Sequence, residues 1–189
     1  MNLEKYQQYS RIARGLEKAD LVLKNARIVN VFTEEIIRGD IAIQDGIIAG
    51  IGSFHGKEER DLAGRYVCPG FIDSHLHLES TLVTPAELVT VASRHGTTTF
   101  IVDPHESANV SGLAGIDYIL DQTEDVKANV YVMMPSCVPA TSIDDNGCTL
   151  TAEEMAPYLH NNRILGLGEV MDSISVVQGE KSMHDKLEL

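Results

Sequence analysis

The sequence predicts an α/β protein in which successive βα units lay down a four-stranded parallel sheet behind a small β layer. Three observations carry this. Four apolar runs, YVCPGFIDSHLH, TTTFIVDP, NVYVMMP and RILGLGE, end near His77, Asp103, Pro135 and Glu169, at intervals of 26, 32 and 34 residues. Such an interval accommodates a strand, a crossover helix and two turns. The runs are almost continuously apolar, as strands covered on both faces of a parallel sheet are. Helix-start residues stand between them.

Residues 1–20, MNLEKYQQYSRIARGLEKAD, lack the apolar core of a signal peptide and read as a short amphipathic helical segment. Residues 21–67 form a small β domain by texture. Its β-branched runs, Leu21–Leu23, Ala26–Val31, Asp40–Gln44 and Ile47–Ile51, are separated by Lys-Asn, Thr-Glu-Glu and Asp-Gly signals. Asp45-Gly46 fits a two-residue hairpin turn. The expectation is an antiparallel layer, incomplete as a sandwich and too thin to bury a core alone.

Residues 68–189 carry the βα series. Thr84-Pro85-Ala86-Glu87 is a capping box with proline at the first helical position, and Gly96 closes that helix after His95. Thr151-Ala152-Glu153-Glu154 repeats the device, and Ser182 opens a third segment. Four such units suggest the first half of a (β/α)8 barrel; a complete one takes about 250 residues, against the 122 that run from Cys68 onward. An open four-stranded sheet is the weaker alternative. No GxGxxG or GxxxxGKS/T loop follows the first strand; His-Leu-His does.

At 189 residues, 43% hydrophobic and 23% charged, the composition is that of an ordinary globular domain with a small appendage. A net charge of −13 argues against nucleic acid or an anionic membrane as partner, and no apolar run approaches a membrane span. Cys68, Cys137 and Cys148 are odd in number and form no CxxC pair. They read as reduced, small buried hydrophobes in a cytoplasmic protein.

The candidate site lies at the strand exits. Residues i and i+2 of a strand share a face, so Asp73, His75 and His77 line one side at the end of the first strand. Two imidazoles a pleat apart can hold one ion. A lone HxH is a weak signal; DxHxH after Pro-Gly-Phe-Ile at the head of a βα series is a strong one. Glu169 ends the fourth apolar strand, where a carboxylate is costly to bury unless paired or metal-bound. It reads as a third metal ligand, able to bridge two ions. Asp103, His105 and Glu106 leave the second strand in FIVDPHES, with substrate contact or proton transfer weighed against a polar loop. Ser136 and Cys137 leave the third strand, and Glu79 stands just beyond the histidines. His55, His95 and His160 read as solvated, and His184 as part of a helix start.

PGFIDSHLHLES, GTTTFIVDPHE, MMPSCVPAT and ILGLGEVMD closely resemble the N-terminal half of bacterial adenine deaminases of the amidohydrolase superfamily, and LVLKNARIVNVFTEEIIRGDIAI resembles their small β domain. The resemblance implies a metal-dependent hydrolase TIM barrel with a two-metal site in which His75, His77 and Glu169 are ligands. Many relatives supply a carboxylated lysine where Glu169 stands. Two further histidines and an aspartate are expected from later strands. Manganese or iron is favoured by the resemblance and zinc is compatible; mixed imidazole and carboxylate ligation does not by itself choose among them. The implied reaction takes adenine and water to hypoxanthine and ammonia. Glu79 and His105 are the candidates for proton transfer, and Asp103 and Ser136 for substrate contact. The complete protein is expected to be a cytoplasmic homo-oligomer in purine salvage.

Two rivals remain open: another cyclic amidohydrolase, of the dihydroorotase or dihydropyrimidinase kind, and a non-catalytic relative. The further expectation is that residues 1–189 alone are an inactive, self-associating fragment.

Overall fold

The computed structural model describes residues 2–189, in two compact units that divide between Pro69 and Gly70. The first unit opens with α1 (Leu3–Ala13), whose N-cap Asn2 accepts the Lys5 amide at 2.9 Å. Ile12 is the buried residue of this helix. It packs into a small core with Ala19, Val22, Ala42 and Phe54.

The sheet of this unit is mixed rather than purely antiparallel. Its strands are β1 (Ala19–Asn30), β2 (Glu35–Gln44), β3 (Ile47–Gly52), β4 (Gly56–Asp61) and β5 (Tyr66–Val67). β1–β2 and β2–β3 are antiparallel, whereas β4 and β5 both run parallel to β1. The Asp45-Gly46 turn forms as expected: both residues have positive φ, 51° and 75°, and Gln44 pairs with Ile47. That is the backbone of a type I′ hairpin.

Leu21–Leu23 and Ala26–Val31, separate runs by sequence, fall on one strand carrying a bulge, with Val31 just past its end. The register with β2 jumps between Leu23 and Ala26, and Asn25 takes φ 55°. A bulge leaves backbone groups without ladder partners, and Asp40 supplies one. Its carboxylate accepts the Asn25 amide at 3.1 Å, the Phe54 amide at 3.2 Å and the Lys24 ammonium at 2.5 Å. Lys24 also donates to the Phe54 carbonyl at 2.8 Å.

The second unit holds a four-stranded, all-parallel sheet in the order β6 (Phe71–Leu76), β7 (Thr97–Val102), β8 (Asn129–Met134), β9 (Ile164–Leu167). Between these strands run α2 (Pro85–Ser93), the pair α3 (His105–Ser111) and α4 (Leu113–Gln122), and α5 (Ala152–Met155) with a following 3-10 turn. α6 (Ser173–Gln178) and α7 (Lys181–Leu187) come after β9. This is an α/β fold whose helices connect successive parallel strands.

Alternate strand residues, Phe100, Val102, Val130, Val132 and Met134, join Val89, Ile116, Ile119 and Met155 from the helices in one buried cluster. The other strand faces, Ile101, Tyr131 and Met133, are only half-buried. The burial on both faces expected from the apolar runs is therefore reached on the helix side alone among the described residues.

Cap chemistry acts where expected at two of three places. Thr84 accepts the Glu87 amide at 3.4 Å. At Thr151 the box is reciprocal, with the Thr151 amide donating to Glu154 at 2.9 Å. Ser182 is not a helix start: α7 begins at Lys181 with Glu180 at its N-cap, and His184 lies inside the helix.

Asp40 is the test of the first unit. Burial pushes its carboxyl up, but Lys24 and the two amide donors outweigh this and hold it below the usual range. A depressed acid stabilises above its unfolded pKa of about 3.9 and loses that contribution as pH falls through the folded value. Asp40→Asn should cost the unit about 2 kcal/mol at pH 7. The cost should shrink as pH falls below the unfolded pKa and through the lowered folded one, as both forms become neutral; thermal melts across that range measure it.

Candidate metal centre

Each strand of the second unit ends just before a residue of the site. β6 stops at Leu76, so His77 lies one residue beyond it, while His75 is within. β7 delivers Asp103, β8 delivers Ser136, and β9 delivers Glu169. All four strands are parallel, so these residues gather at one end of the sheet.

The two histidine rings stand 5.0 Å apart in an edge arrangement. The Glu169 carboxylate faces both, with one oxygen 3.6 Å from His75 Nε2 and the other 3.2 Å from His77 Nε2. Ligand atoms about 2.1 Å from one ion stand about 3.0–3.4 Å apart at right or tetrahedral angles. The His77 contact already matches, and the His75 contact needs a slight closing. The donor set therefore fits a divalent transition metal.

Three groups of donors draw together within 4.8 Å among the described residues: His75, His77 and Glu169; His77, Glu79 and Glu106; Asp103, His105 and Glu169. The first is preferred. In the second, Glu79 is occupied as a cap, and in the third, Asp103 is turned to the Glu169 amide and His105 is buried behind it.

Glu106 lies on the far side of the His77 ring, 3.0 Å from Nδ1, although the pair falls short of hydrogen-bond alignment. A carboxylate on the non-ligating nitrogen is how a metal-binding imidazole is commonly oriented. Burial pulls the His77 proton affinity down, but Glu106, Asp103 and Glu169 outweigh it and raise its pKa above the ordinary value. Glu106 is itself fixed by the Ser80 hydroxyl at 2.8 Å. Burial pushes Glu106 up, but Ser80, Glu79 and His77 hold it below the usual carboxylate range.

Three expectations change here. Glu79 does not point freely into the site: one oxygen accepts the Glu106 and Ser107 amides, both at 3.1 Å, and so caps α3. Its other oxygen is buried without a partner, and burial with Glu106 nearby raises its pKa. Asp103, expected at substrate, is 0% exposed. One of its oxygens accepts the Glu169 amide at 2.9 Å and the other lies 2.7 Å from His105 Nδ1. Ser136, also expected at substrate, is 0% exposed and donates its hydroxyl to the Glu169 carbonyl. Asp103 and Ser136 thus hold the two ends of the Glu169 residue, and neither faces open space.

His105 is 5% exposed, and neither of its ring nitrogens has a hydrogen-bond partner among the described residues, the close approach to Asp103 falling short of hydrogen-bond alignment. With His77, Glu106 and Glu169 it lines a cavity of about 580 Å³ whose far wall includes Asn109, Asp144 and Asp145. That volume lies in the range of small-molecule sites. A neighbouring groove of about 610 Å³, lined by Glu79, Glu106 and Tyr118, contains no histidine.

His55, His95 and His160 are exposed as expected. Of the thiols, Cys137 is buried, Cys148 half-buried and Cys68 exposed, the last against expectation; none is paired. No described helix is long and apolar enough to cross a membrane.

Gly168 explains how Glu169 can stand so close to Asp103. A Cβ at Gly168 would lie 2.3 Å from the Asp103 carboxylate, which is buried and too short to move aside. Gly168→Ala should therefore displace Glu169 and weaken metal retention at least about tenfold while circular dichroism stays unchanged. Chelator competition measures the first.

The sequence profile of the amidohydrolase family matches residues 66–188. An adenine deaminase of Desulfitobacterium hafniense is 57% identical over 189 residues, covering 100% of this chain and 33% of its own length. One from Geobacillus kaustophilus is 52% identical over 172 residues, covering 91% of this chain and 30% of its own. The chain thus spans about a third of the length of these curated relatives. The solved N-acyl-D-glutamate deacylase of Bordetella bronchiseptica aligns over 62% of this chain and 30% of its own, at 22% identity and a TM-score of 0.48. The family profile takes in all four parallel strands and the exits that carry His75, His77 and Glu169, and this chain belongs to the amidohydrolase family.

Proposed function

We propose that the complete protein hydrolyses adenine to hypoxanthine and ammonia, and that this chain supplies the first part of its metal site. The observation that carries the reading is Glu169, a glutamate facing two strand-end histidines where other members of the superfamily use lysine. Its relatives named adenine deaminase add the substrate class. In this reading the parallel sheet is the first half of a barrel, and the remaining ligands come from strands outside these residues. The protein acts as a cytoplasmic homo-oligomer.

His75, His77 and Glu169 would hold a divalent ion, manganese or iron by preference and zinc compatibly, with Glu169 free to bridge a second. Such an ion lowers the pKa of water in its reach toward about 7, giving a strong nucleophile at neutral pH. His75 and His77 must be neutral to ligate. Glu106 orients His77 and compensates its partial charge. His105, with the Asp103 carboxylate 2.7 Å from its Nδ1, has its Nε2 free to take a proton from the attacking water or return one to the departing amine. Glu79, held above the ordinary carboxylate range, is the acid in the site that most readily keeps a proton. Asp103 and Ser136 act by placing Glu169 and not by touching substrate.

Ammonia release measured side by side on adenine, cytosine, adenosine and dihydroorotate tests the substrate. Adenine should be fastest; faster turnover of dihydroorotate would move the reading to a cyclic amidase. Elemental analysis of His75→Ala, His77→Ala and Glu169→Gln tests the site. Each should lose at least one equivalent of metal, and unchanged content in all three would remove the assignment.

A further inference from the structure

Lys186 lies in α7, 50 residues from the exit of β8, and is only 7% exposed. A lysine is seldom buried unless a partner compensates it. Here the ammonium reaches no carboxylate: its hydrogen-bond partner among the described residues is the Ser136 carbonyl, at 2.8 Å. Burial pushes the ammonium below the usual lysine range. A side chain placed at such cost, against a neutral acceptor, calls for an account of what the contact holds.

The acceptor is the residue whose hydroxyl holds Glu169. Ser136 donates Oγ to the Glu169 carbonyl while its own carbonyl accepts from Lys186. On the other side the Glu169 amide is fixed by Asp103 at 2.9 Å. The loop after Glu169 is tied to the same place, since the Asp172 amide donates to Cys137 Sγ at 3.3 Å. Ser136 is thus the joint between α7 and the strand exit that presents the carboxylate to His75 and His77.

We propose that Lys186 is a positioning residue for Glu169, acting through Ser136 on the geometry of the metal site. The inference rests on the reading of Glu169 as a metal ligand. An ammonium donor restrains the Ser136 peptide strongly, because a charge-assisted hydrogen bond is about twice as strong as a neutral one. With that peptide fixed, the Ser136 side chain leaves a fixed backbone, and its hydroxyl meets the Glu169 carbonyl. A lysine that only filled space would be replaced by methionine at no loss, since an apolar residue of similar length removes the cost of burying a charge.

Cobalt(II) binding to the complete protein separates the two roles through affinity and through the visible ligand-field spectrum at saturation. Lys186→Met should weaken cobalt binding about tenfold and alter the spectrum of the saturated protein, with the thermal midpoint kept or raised. Ser136→Ala should do the same, and the double variant should be no worse than the poorer single one. Wild-type affinity and spectrum in Lys186→Met, or additive losses in the double variant, would overturn the proposal. If Lys186→Met does not fold, Ser136→Ala decides alone: it keeps the lysine and removes only the joint, so normal cobalt binding by it also overturns the proposal. Glu169→Gln run in parallel distinguishes the failures. If it binds cobalt as wild type, the ligand reading of Glu169 falls and this inference with it. If it loses cobalt while Lys186→Met does not, only the role of Lys186 falls.

Discussion

The residue Glu169 is gripped at both of its backbone groups, its amide by Asp103 and its carbonyl by Ser136, and both gripping side chains are fully buried. The site is arranged around this. A carboxylate on a loop would lose rotamer and backbone freedom each time it met an ion. Fixing its peptide in advance moves that loss into folding, where the hydrophobic cluster beneath the sheet offsets it. The same grip explains why Gly168 follows β9: only a residue without a Cβ lets the chain pass the Asp103 carboxylate. It also explains why three strand exits, far apart in sequence, must be in register for one side chain to be placed.

His77 is held in a comparable way from the opposite direction. Glu106 stands behind its ring, Ser80 fixes Glu106, and Glu79 fixes the start of α3 from which Glu106 projects. Glu79 therefore serves the site by shaping the backbone that carries its neighbour. The two carboxylates divide their burdens unequally, one pushed up by burial and the other held down by its donors.

Much of this was legible in the sequence. Period-two spacing put His75 and His77 on one side, and uninterrupted apolar runs gave the four parallel strands. β4 was invisible because GKEERD has neither alternation nor apolar residues; it is a strand only because β1 offers it a parallel edge. The bulge at Lys24-Asn25 looked like a break, since the residue that repairs it, Asp40, lies on another strand. The strand pattern puts Asp103 and Ser136 at the exits of β7 and β8 but does not say which way they face. Their contacts are with the backbone of a residue 66 and 33 positions away, and a sequence pattern carries no signal for that. Lys186 was unreadable for a simpler reason: a charged residue in a short amphipathic helix is ordinarily in water.

The charge on β4 has a consequence for how the first unit meets other chains. Lys57, Glu58, Glu59, Arg60 and Asp61 follow one another along an exposed edge. A strand docking there would have to bring its own side chains against charges of both signs and strip their hydration to complete the ladder. The unpaired amides and carbonyls of that edge are thus guarded by their own side chains. In the second unit the outer strand β9, ILGL, has no such guard. The β4 border is defended by charge against indiscriminate strand exchange, whereas the β9 border, in the sheet that carries the histidines, puts no charged side chain in the way of a further strand.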